Sequence, residues 1–452
     1  DTGKIPETVK KLTVIMTAEK TSGGLRMDRK KSFVLKGHIC YSDEKKKLHI
    51  KPNSYAVCKD GVCQGVFEKI PQKFASFEVR DMGDVLVIPG LTDLHAHAPQ
   101  YAFRGQGMDL ELLEWLNTHT FPEEARYADL EYAQRAYGMY VEELKKSAVT
   151  RAVIFGTLHV EATEILMDLL EESGLETYAG KVNMDRNGGK NLEEASAQSS
   201  AAETRRWLQE TEGKYRHTRP ILTPRFIPAC SDELMAELRT IQKEYGLPVQ
   251  SHLSENPQEV AWVKELCPKA KSYSDAYFQA GLFGGTYPAV MAHCSWVDEE
   301  EIQLMKAQGV YVAHCPQSNA NLSSGIAPVR KFLSAGVSIG LGSDMAAGSN
   351  TSILRAMADA VQCSKLRWRL VDSEAKPLTC PEVFYMGTLG GGSFFGNVGS
   401  FLPGYAFDAL VLDDTSLPQP RKLEVSQRLE RFIYLGDELN IVCKYVYGVC
   451  IR

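Results

Sequence analysis

The chain has 452 residues, of which 44% are hydrophobic, 24% charged and 9% aromatic, a composition typical of a folded globular protein. Its 57 acidic and 51 basic side chains give a net charge of -6, the wrong sign for a protein that mainly neutralises phosphates. No run of 18 apolar residues is present, and the opening DTGKIPETVK lacks the apolar core of a secretory signal. These features argue against a nucleic-acid or membrane partner, and we expect a cytoplasmic protein.

The cysteines point to the same compartment. Eleven of them are scattered from Cys40 to Cys450, unlike the dense pairs of a small secreted scaffold, which favours reduced thiols. Cys58 and Cys63 flank an Asp-Gly pair in CKDGVC, a sequence that predicts a β-hairpin with the two cysteines facing each other. A metal clip at this pair is the less favoured alternative.

The pattern of apolar and turn-forming residues changes twice along the chain. Residues 1–88 contain short β-rich pieces such as LTVIMTAE and SFVLKGHICYS, separated by Gly, Pro, Asn and Asp, which predicts a small antiparallel unit. Residues 89–394 alternate apolar strands with helical stretches such as DELMAELRTIQKEY and DEEEIQLMKAQ. Residues 395–452 return to strand and turn, in GNVGSFLPGYAFDALVLDD and RFIYLGDELNIVCKYVYGVCIR. The predicted fold is therefore α/β, a (β/α)8 TIM-like barrel with a small β-sandwich domain built from both chain ends.

Eight strand candidates fill the middle region, the number that a (β/α)8 barrel needs. They are LTDLHAH, TRAVIFGT, TYAGKVNMD, PILTPRF, LPVQSHLSE, AVMAHCSW, VYVAHCPQS and SIGLGSD. Because the chemistry of such barrels lies where strands end and loops begin, the residues at these ends are the first candidates for function.

Histidines gather at those strand ends, although the chain has only ten of them. His95 and His97 are two apart on one strand, so both should point into the barrel mouth while Leu94 and Ala96 face the helices. A third imidazole from His252 and a carboxylate from Asp344 would complete the nitrogen and oxygen donors of a catalytic zinc or iron, which activates water at neutral pH.

Three further histidines stay open at this point. His293 is either a further ligand or the hydrogen-bond partner of the reacting water. His314 and His159 also end predicted strands, and for each a structural hydrogen bond is as good an explanation as a place near the pocket.

Several motifs resemble known barrel motifs. PGLTDLHAHAPQY, SHLSEN, MAHC, AHCPQSN and GLGSD resemble those of the amidohydrolase superfamily, in the order of its deaminases. HAHAPQY, LLEWL, FPEE, GKVNMD, TPRF and PGYAFDALVLDD resemble more narrowly its guanine-deaminating branch, so that the likeness covers nearly the whole chain. The segments YAFRGQG and DRNGGKNLEEAS depart from the family's usual wording and could alter access to the pocket.

This resemblance implies hydrolysis of guanine to xanthine and ammonia in purine catabolism or salvage, one zinc per subunit with iron less favoured, and a homodimer. It implies that Glu255 protonates N3 of guanine, Asp344 accepts the water proton, and His293 steadies the developing oxyanion. Arg225 would bond the purine carbonyl side, Phe226 would pack on the ring and Gln100 would contact the remaining edge. The implied metal ligands are His95, His97, His252, His293 and Asp344. The implied substrate contacts are His97, Gln100, Arg225, Phe226, His252, Glu255 and Asp344.

Many superfamily members hold two metals bridged by a carboxylated lysine from the fourth strand. Here the fourth strand reads PILTPRF and has no lysine, while Lys181 lies on the third strand and is expected to be a core-edge or surface residue. A single metal is therefore predicted.

Two alternative functions compete with this interpretation. Another amidohydrolase acting on a related aminated heterocycle or cyclic amide would share the metal ligands, but TPRF and HAPQY argue against it. A noncatalytic barrel scaffold should lack a ligand or Glu255, and neither is missing. A zinc-dependent nucleic-acid editor would need H-x-E and P-C-x-x-C, which are absent.

Overall fold

The computed structural model describes residues 32–189 and 191–452, which fall into two units. One unit takes the described residues up to Gly90 together with Asn397–Arg452, and the other is Leu91–Gly396. The strand predicted at LTVIMTAE lies outside the described residues.

The first unit contains one seven-stranded sheet drawn from both chain ends, in the order β17-β16-β15-β4-β1-β2-β3. Only the β1–β4 pair is parallel. A core of alternating strand residues, among them Phe33, Leu35 and Val411, packs on one face. The strands are β1 (Phe33–Ser42), β2 (Leu48–Lys59), β3 (Val62–Phe67), β4 (Glu78–Pro89), β15 (Ala409–Leu412), β16 (Ile441–Val446) and β17 (Val449–Cys450).

Two sequence predictions for this unit have different outcomes. The hairpin at CKDGVC is confirmed, because Asp60 and Gly61 both have positive φ and Cys58 lies opposite Cys63 across β2 and β3. The strand expected at RFIYL is wrong, because these residues end the helix Val425–Leu435. Its buried positions Val425, Leu429, Phe432 and Ile433 follow helical spacing.

The second unit contains a parallel sheet of eight strands in the order β11-β12-β13-β14-β5-β6-β7-β9. Each predicted strand overlaps one of them, although the fourth, PILTPRF, shares only Pro220 with β9. Leu222 bridges to Val249, so the two outer strands of this order meet and the sheet closes as a barrel does. The strands are β5 (Leu91–His97), β6 (Val149–Phe155), β7 (Glu176–Gly180), β9 (Thr218–Pro220), β11 (Val249–Leu253), β12 (Ala289–His293), β13 (Tyr311–His314) and β14 (Ser338–Leu341). The short strands β8 (Val182–Asn183) and β10 (Thr223–Pro224) pair with each other beyond β7 and β9.

Helices follow the strands as the sequence pattern predicted. The helix expected in DELMAELRTIQKEY spans Asp232–Tyr245. Ser231 caps its N-terminus, and Gly246, which has a φ of 68°, caps its C-terminus. The longer helices of this unit are Leu130–Lys146, Val160–Ser173, Ala197–Thr211, Asp232–Tyr245, Pro257–Leu266, Tyr273–Ala280, Glu299–Gln308, Val329–Ala335 and Ile353–Leu370. The short ones are Leu112–Trp115, Phe121–Glu124, Pro316–Asn321 and Cys380–Tyr385. Across residues 32–189 and 191–452, no helix combines the length and the apolar character needed to cross a bilayer.

One predicted orientation on β5 is wrong. Leu94 was expected to face the helices, yet it packs in one cluster with Val153, Ile221, Val290 and Ala313, which come from strands around the barrel. Non-neighbouring strands of a closed barrel meet only inside it. The register between β5 and β6 shifts between Asp93 and Ala96, and this irregularity breaks the simple alternation of sides on which the expectation rested.

Candidate active site

Four imidazoles and one carboxylate converge at the carboxyl ends of the barrel strands. His97 Nε2 lies 3.0 Å from His252 Nε2, and His95 Nε2 lies 3.2 Å from Asp344 Oδ1. His293 Nε2 lies 3.8 Å from Asp344 Oδ2. All five side chains are buried. The structure thus brings together residues that lie as far apart along the chain as His95 and Asp344.

Neighbouring groups turn two of these imidazoles toward the centre of the cluster. His252 Nδ1 lies 2.6 Å from the Arg225 carbonyl oxygen, which can only accept, so Nδ1 carries the proton. His293 Nδ1 lies 2.9 Å from Asn319 Oδ1 and is oriented in the same way. In both residues the Nε2 lone pair is then free to face the other ligand atoms.

The cluster fits a metal ion better than it fits a set of hydrogen bonds. Within the part of the chain that the structure describes, Nε2 of His95 and of His293 are buried and make no well-formed hydrogen bond. Two combinations, His95 with His97 and His252, and His95 with His293 and Asp344, hold their ligand atoms within 4.8 Å of one another. Several imidazole nitrogens and a carboxylate at such spacing are the donors of a zinc or iron site.

The protonation states favour the same conclusion. Burial lowers the pKa of His97 and of His252 well below the usual value, and the neighbouring imidazoles lower it further. Burial alone would raise the pKa of Asp344, but the nearby His95 and His293 hold it well below its usual range. His97 and His252 are therefore neutral and Asp344 is ionised at neutral pH, the protonation states that metal ligands need.

Glu255 stands beside this cluster, after β11. Its Oε2 lies 3.4 Å from His293 Nε2, and its Oε1 accepts a hydrogen bond from Ser324 Oγ at 3.2 Å. Burial, Asp344 and Glu259 raise the pKa of Glu255 well above its usual value. A buried carboxylic acid that keeps its proton at neutral pH can act as a proton donor.

A cavity joins the cluster to the residues expected to recognise a purine. Leu112, Trp115 and Leu116 of the LLEWL segment form part of its apolar wall. Phe226 is also buried there, with its ring 6.3 Å from that of Trp262. Site residues predicted from the sequence that line the cavity are His97, Gln100, Arg225, Phe226, His252, Glu255, His293 and Asp344.

Other sequence candidates lie outside this cavity. His314 is buried, and burial together with His293 lowers its pKa to about 3, but it lines a separate small cavity. His159 precedes the helix Val160–Ser173. Lys181, expected at the edge of the core or at the surface, is fully buried, and its Nζ lies 2.5 Å from Glu194 Oε1.

Three buried carboxylates at the site were missed by the sequence analysis, namely Asp93, Glu124 and Glu259. Asp93 accepts hydrogen bonds from the backbone of His95 and Ser343 and from the Ser343 hydroxyl, which ties β5 to the loop that carries Asp344. Glu124 is paired with Arg225 and accepts a hydrogen bond from Gln100. The motif FPEE contained a signal for Glu124, but its partner is 101 residues away.

The comparisons with known proteins agree with this geometry. The model of the amidohydrolase family matches residues 86–450. Guanine deaminase of Dictyostelium discoideum is 36% identical over 92% of this chain and 97% of that protein. Guanine deaminase of Mus musculus is 39% identical over 83% of this chain and 85% of that protein. The crystal structure of guanine deaminase from C. acetobutylicum with bound guanine is 44% identical, covers 93% of this chain and all of that one, and has a TM-score of 0.90.

The fold and the ligand cluster are those of a metal-dependent hydrolase, and the chain belongs to the amidohydrolase family. Within it, the chain belongs to the guanine deaminase family, because the relatives that it matches over most of their length carry that name.

Proposed function

We propose that this chain catalyses the hydrolytic deamination of guanine to xanthine and ammonia. The observation that carries the proposal is that one cavity is lined by four of the five cluster residues, by the carboxyl group of Glu255 and by a pair of donor side chains. The metal ligands act on water, Glu255 acts on the ring nitrogen N3, Arg225 binds the carbonyl side of the base, and Gln100 contacts its remaining edge. The likeness to guanine deaminases along the chain supports the same substrate.

The metal is proposed to be one zinc ion, held by His95, His97, His252 and Asp344, with His293 close to it. A divalent ion at these ligands supplies a nucleophile from water at neutral pH. Zinc is preferred to iron because the chain resembles the guanine-deaminating branch. The donor types by themselves suit both metals. The described residues form overlapping ligand groups around His95, which supports one ion rather than two.

The side chains then divide the proton transfers between them. Asp344 takes the proton that water loses as its oxygen bonds to C2 of guanine. Glu255, whose pKa burial and the neighbouring carboxylates raise, delivers a proton to N3, and His293 steadies the oxygen that adds to C2. Asp344 then passes the proton it took to the exocyclic amine, the C2–N bond breaks, and the hydroxyl on C2 returns its remaining proton to Glu255 as the carbonyl forms, so that ammonia leaves and xanthine remains.

An ultraviolet assay of guanine conversion tests this proposal. The zinc-loaded protein should convert guanine to xanthine and release one ammonia for each guanine, and it should leave adenine and cytosine unchanged. Activity should disappear after chelation and return with zinc. A fully metallated protein that does not turn over guanine contradicts the substrate, and activity that survives complete metal removal contradicts the mechanism.

We also propose that the chain works as a cytoplasmic homodimer in purine catabolism. Within the described ranges, which include all the cysteines, none forms a disulfide, in keeping with a reducing compartment. The dimer rests on the family resemblance, and light scattering behind a sizing column would test it.

The domain limits of 1–88, 89–394 and 395–452 and the small β-sandwich remain our proposal for the domain organisation. The shared sheet of the two chain ends supports a common domain for them. Limited proteolysis should release the barrel as the resistant fragment if the limits are right.

A further inference from the structure

The FPEE segment, residues Phe121–Glu124, contacts the guanidinium of Arg225 on two sides. Glu124 pairs with Arg225 through both carboxylate oxygens, Nη1 with Oε2 and Nη2 with Oε1, the latter at 3.0 Å. The guanidinium also lies over the Phe121 ring, 5.2 Å from its centre. Glu124 and Arg225 are 1% and 3% exposed, so that water competes little for this pair. The segment therefore holds Arg225 in one orientation.

Glu124 also determines how the Gln100 amide is turned. Gln100 Nε2 donates to Glu124 Oε1 at 2.9 Å, and Gln100 Oε1 accepts from the backbone N–H of Ala346 at 3.2 Å. An ionised carboxylate can only accept and a backbone N–H can only donate, so the amide has one satisfactory orientation. The hydrogen left over on Gln100 Nε2 is a donor.

Together these bonds leave only hydrogen-bond donors on the part of the cavity wall that Arg225 and Gln100 form. Arg225 keeps N–H groups that Glu124 does not use, and Gln100 keeps one N–H, while their acceptors are absent or occupied. The negative charge of Glu124 offsets the positive charge of Arg225. A carbonyl oxygen of a neutral base matches such a wall, whereas an amino group would point its hydrogens at other hydrogens.

We propose that Glu124 is a positioning residue that sets the preference of this site for 6-oxo over 6-amino purines. The inference rests on the proposed function and deepens it. Glu124 acts through Arg225 and Gln100 and does not itself take part in the reaction. In Glu124→Gln the new amide carries a donor of its own, so Arg225 or Gln100 must turn away from it.

Steady-state kinetics with guanine give the first test. In Glu124→Gln, KM should rise about 10- to 100-fold while kcat stays within about fivefold, because Arg225 and Gln100 bind the base without entering the bond-making steps. Glu123→Gln is the matched control on the same short helix. Glu123 pairs with Arg126 outside the cavity, and its variant should keep the parent KM.

A binding comparison gives a readout that loose packing alone would not change. Neither hypoxanthine nor adenine has the 2-amino group that would be lost, so calorimetry can measure their binding to the zinc-loaded protein without turnover. We expect the parent to bind hypoxanthine at least about tenfold more tightly than adenine, and Glu124→Gln to bring the ratio close to one. Zinc content should be equal in both.

Glu124→Asp keeps the measurement possible if Glu124→Gln does not fold. Its shorter carboxylate can reach Arg225 or Gln100 but not both. Its hypoxanthine-to-adenine affinity ratio should therefore lie between that of the parent and that of Glu124→Gln. A parent ratio near one, or a parent-like ratio in a folded, zinc-loaded variant, overturns the inference. Absence of guanine turnover in the parent overturns the proposed function instead, while the hypoxanthine-to-adenine ratio still tests Glu124.

Discussion

At the scale of single residues, the environment of Glu255 decides its chemistry. Its carboxyl is buried, 3.4 Å from His293 Nε2, and close to the charges of Asp344 and Glu259, which raise its pKa. The same residue at the surface would be ionised at neutral pH and could not deliver a proton to a ring nitrogen. Burial thus converts an ordinary glutamate into an acid suited to the proposed reaction.

We expect Glu255→Gln to lower kcat for guanine by about 10²- to 10⁴-fold, the usual contribution of a positioned acid-base group. An amide of equal size fills the same space but cannot deliver the proton. Metal analysis should show an unchanged zinc content. The control is Glu265→Gln, which removes an exposed carboxylate from the following helix and should keep kcat. A Glu255→Gln protein with nearly parent kcat would contradict the assigned role.

At the scale of secondary-structure elements, Asp93 joins β5 to the loop after β14. It accepts from His95 N at 3.1 Å, Ser343 N at 3.0 Å and Ser343 Oγ at 2.5 Å. Asp344 N in turn donates to the His95 carbonyl at 2.9 Å. These bonds hold the strand with two ligands against the loop with a third, so the geometry of the cluster depends on a residue outside it.

We expect Asp93→Ala to reduce zinc affinity about 10- to 100-fold, because groups that orient ligands typically contribute this much. The variant should also lose about 1–3 kcal/mol of unfolding free energy through buried donors left without partners. Competition with a chromogenic chelator measures the affinity.

Asp129→Ala is the control that separates a loss of zinc affinity from a loss of unfolding free energy. Asp129 begins the helix Leu130–Lys146 and accepts from its first backbone N–H groups, so its loss should cost about 1 kcal/mol of stability. Its zinc affinity should match the parent. If Asp93→Ala and Asp129→Ala bind zinc equally well, Asp93 has no part in holding the ligands.

At the scale of the whole molecule, the ligand cluster gathers buried ligand atoms from distant parts of the chain that a single metal ion can join. His97 and His252 place two imidazole nitrogens 3.0 Å apart in a buried space, with Asp344 and His95 beside them. An ion that binds only the folded chain adds to its stability, by about 4 kcal/mol when the free ion is 1,000-fold above its Kd.

Removal of the metal should therefore lower the Tm of the barrel by several degrees, and zinc should restore it. Differential scanning calorimetry of stripped and reloaded protein measures the change. Magnesium is the control, because it prefers oxygen ligands and should not restore the Tm. An identical Tm with and without zinc would mean that the cluster does not hold the ion in the folded state.

Much of the fold was readable from local pattern. The eight barrel strands, the hairpin at Asp60 and Gly61 and the helix Asp232–Tyr245 each depend on residues close together in the chain. The helix at Val425–Leu435 was missed, since its apolar run RFIYL reads as a strand when the earlier residues Val425 and Leu429 are left out. The pairing order of the strands from the two chain ends was not readable either, because strand pattern does not specify which strands pair.

The sequence by itself determined which groups are available for chemistry: the histidines at strand ends, Asp344 and Glu255, because strand periodicity and barrel topology carry such residues to one rim. Only the tertiary structure decided what holds them there. Glu124 meets Arg225 across 101 residues and Asp93 meets Ser343 across 250. Hydrogen bonds over such separations leave no periodic trace in the chain, since either partner alone looks like any other polar residue until folding brings the two together.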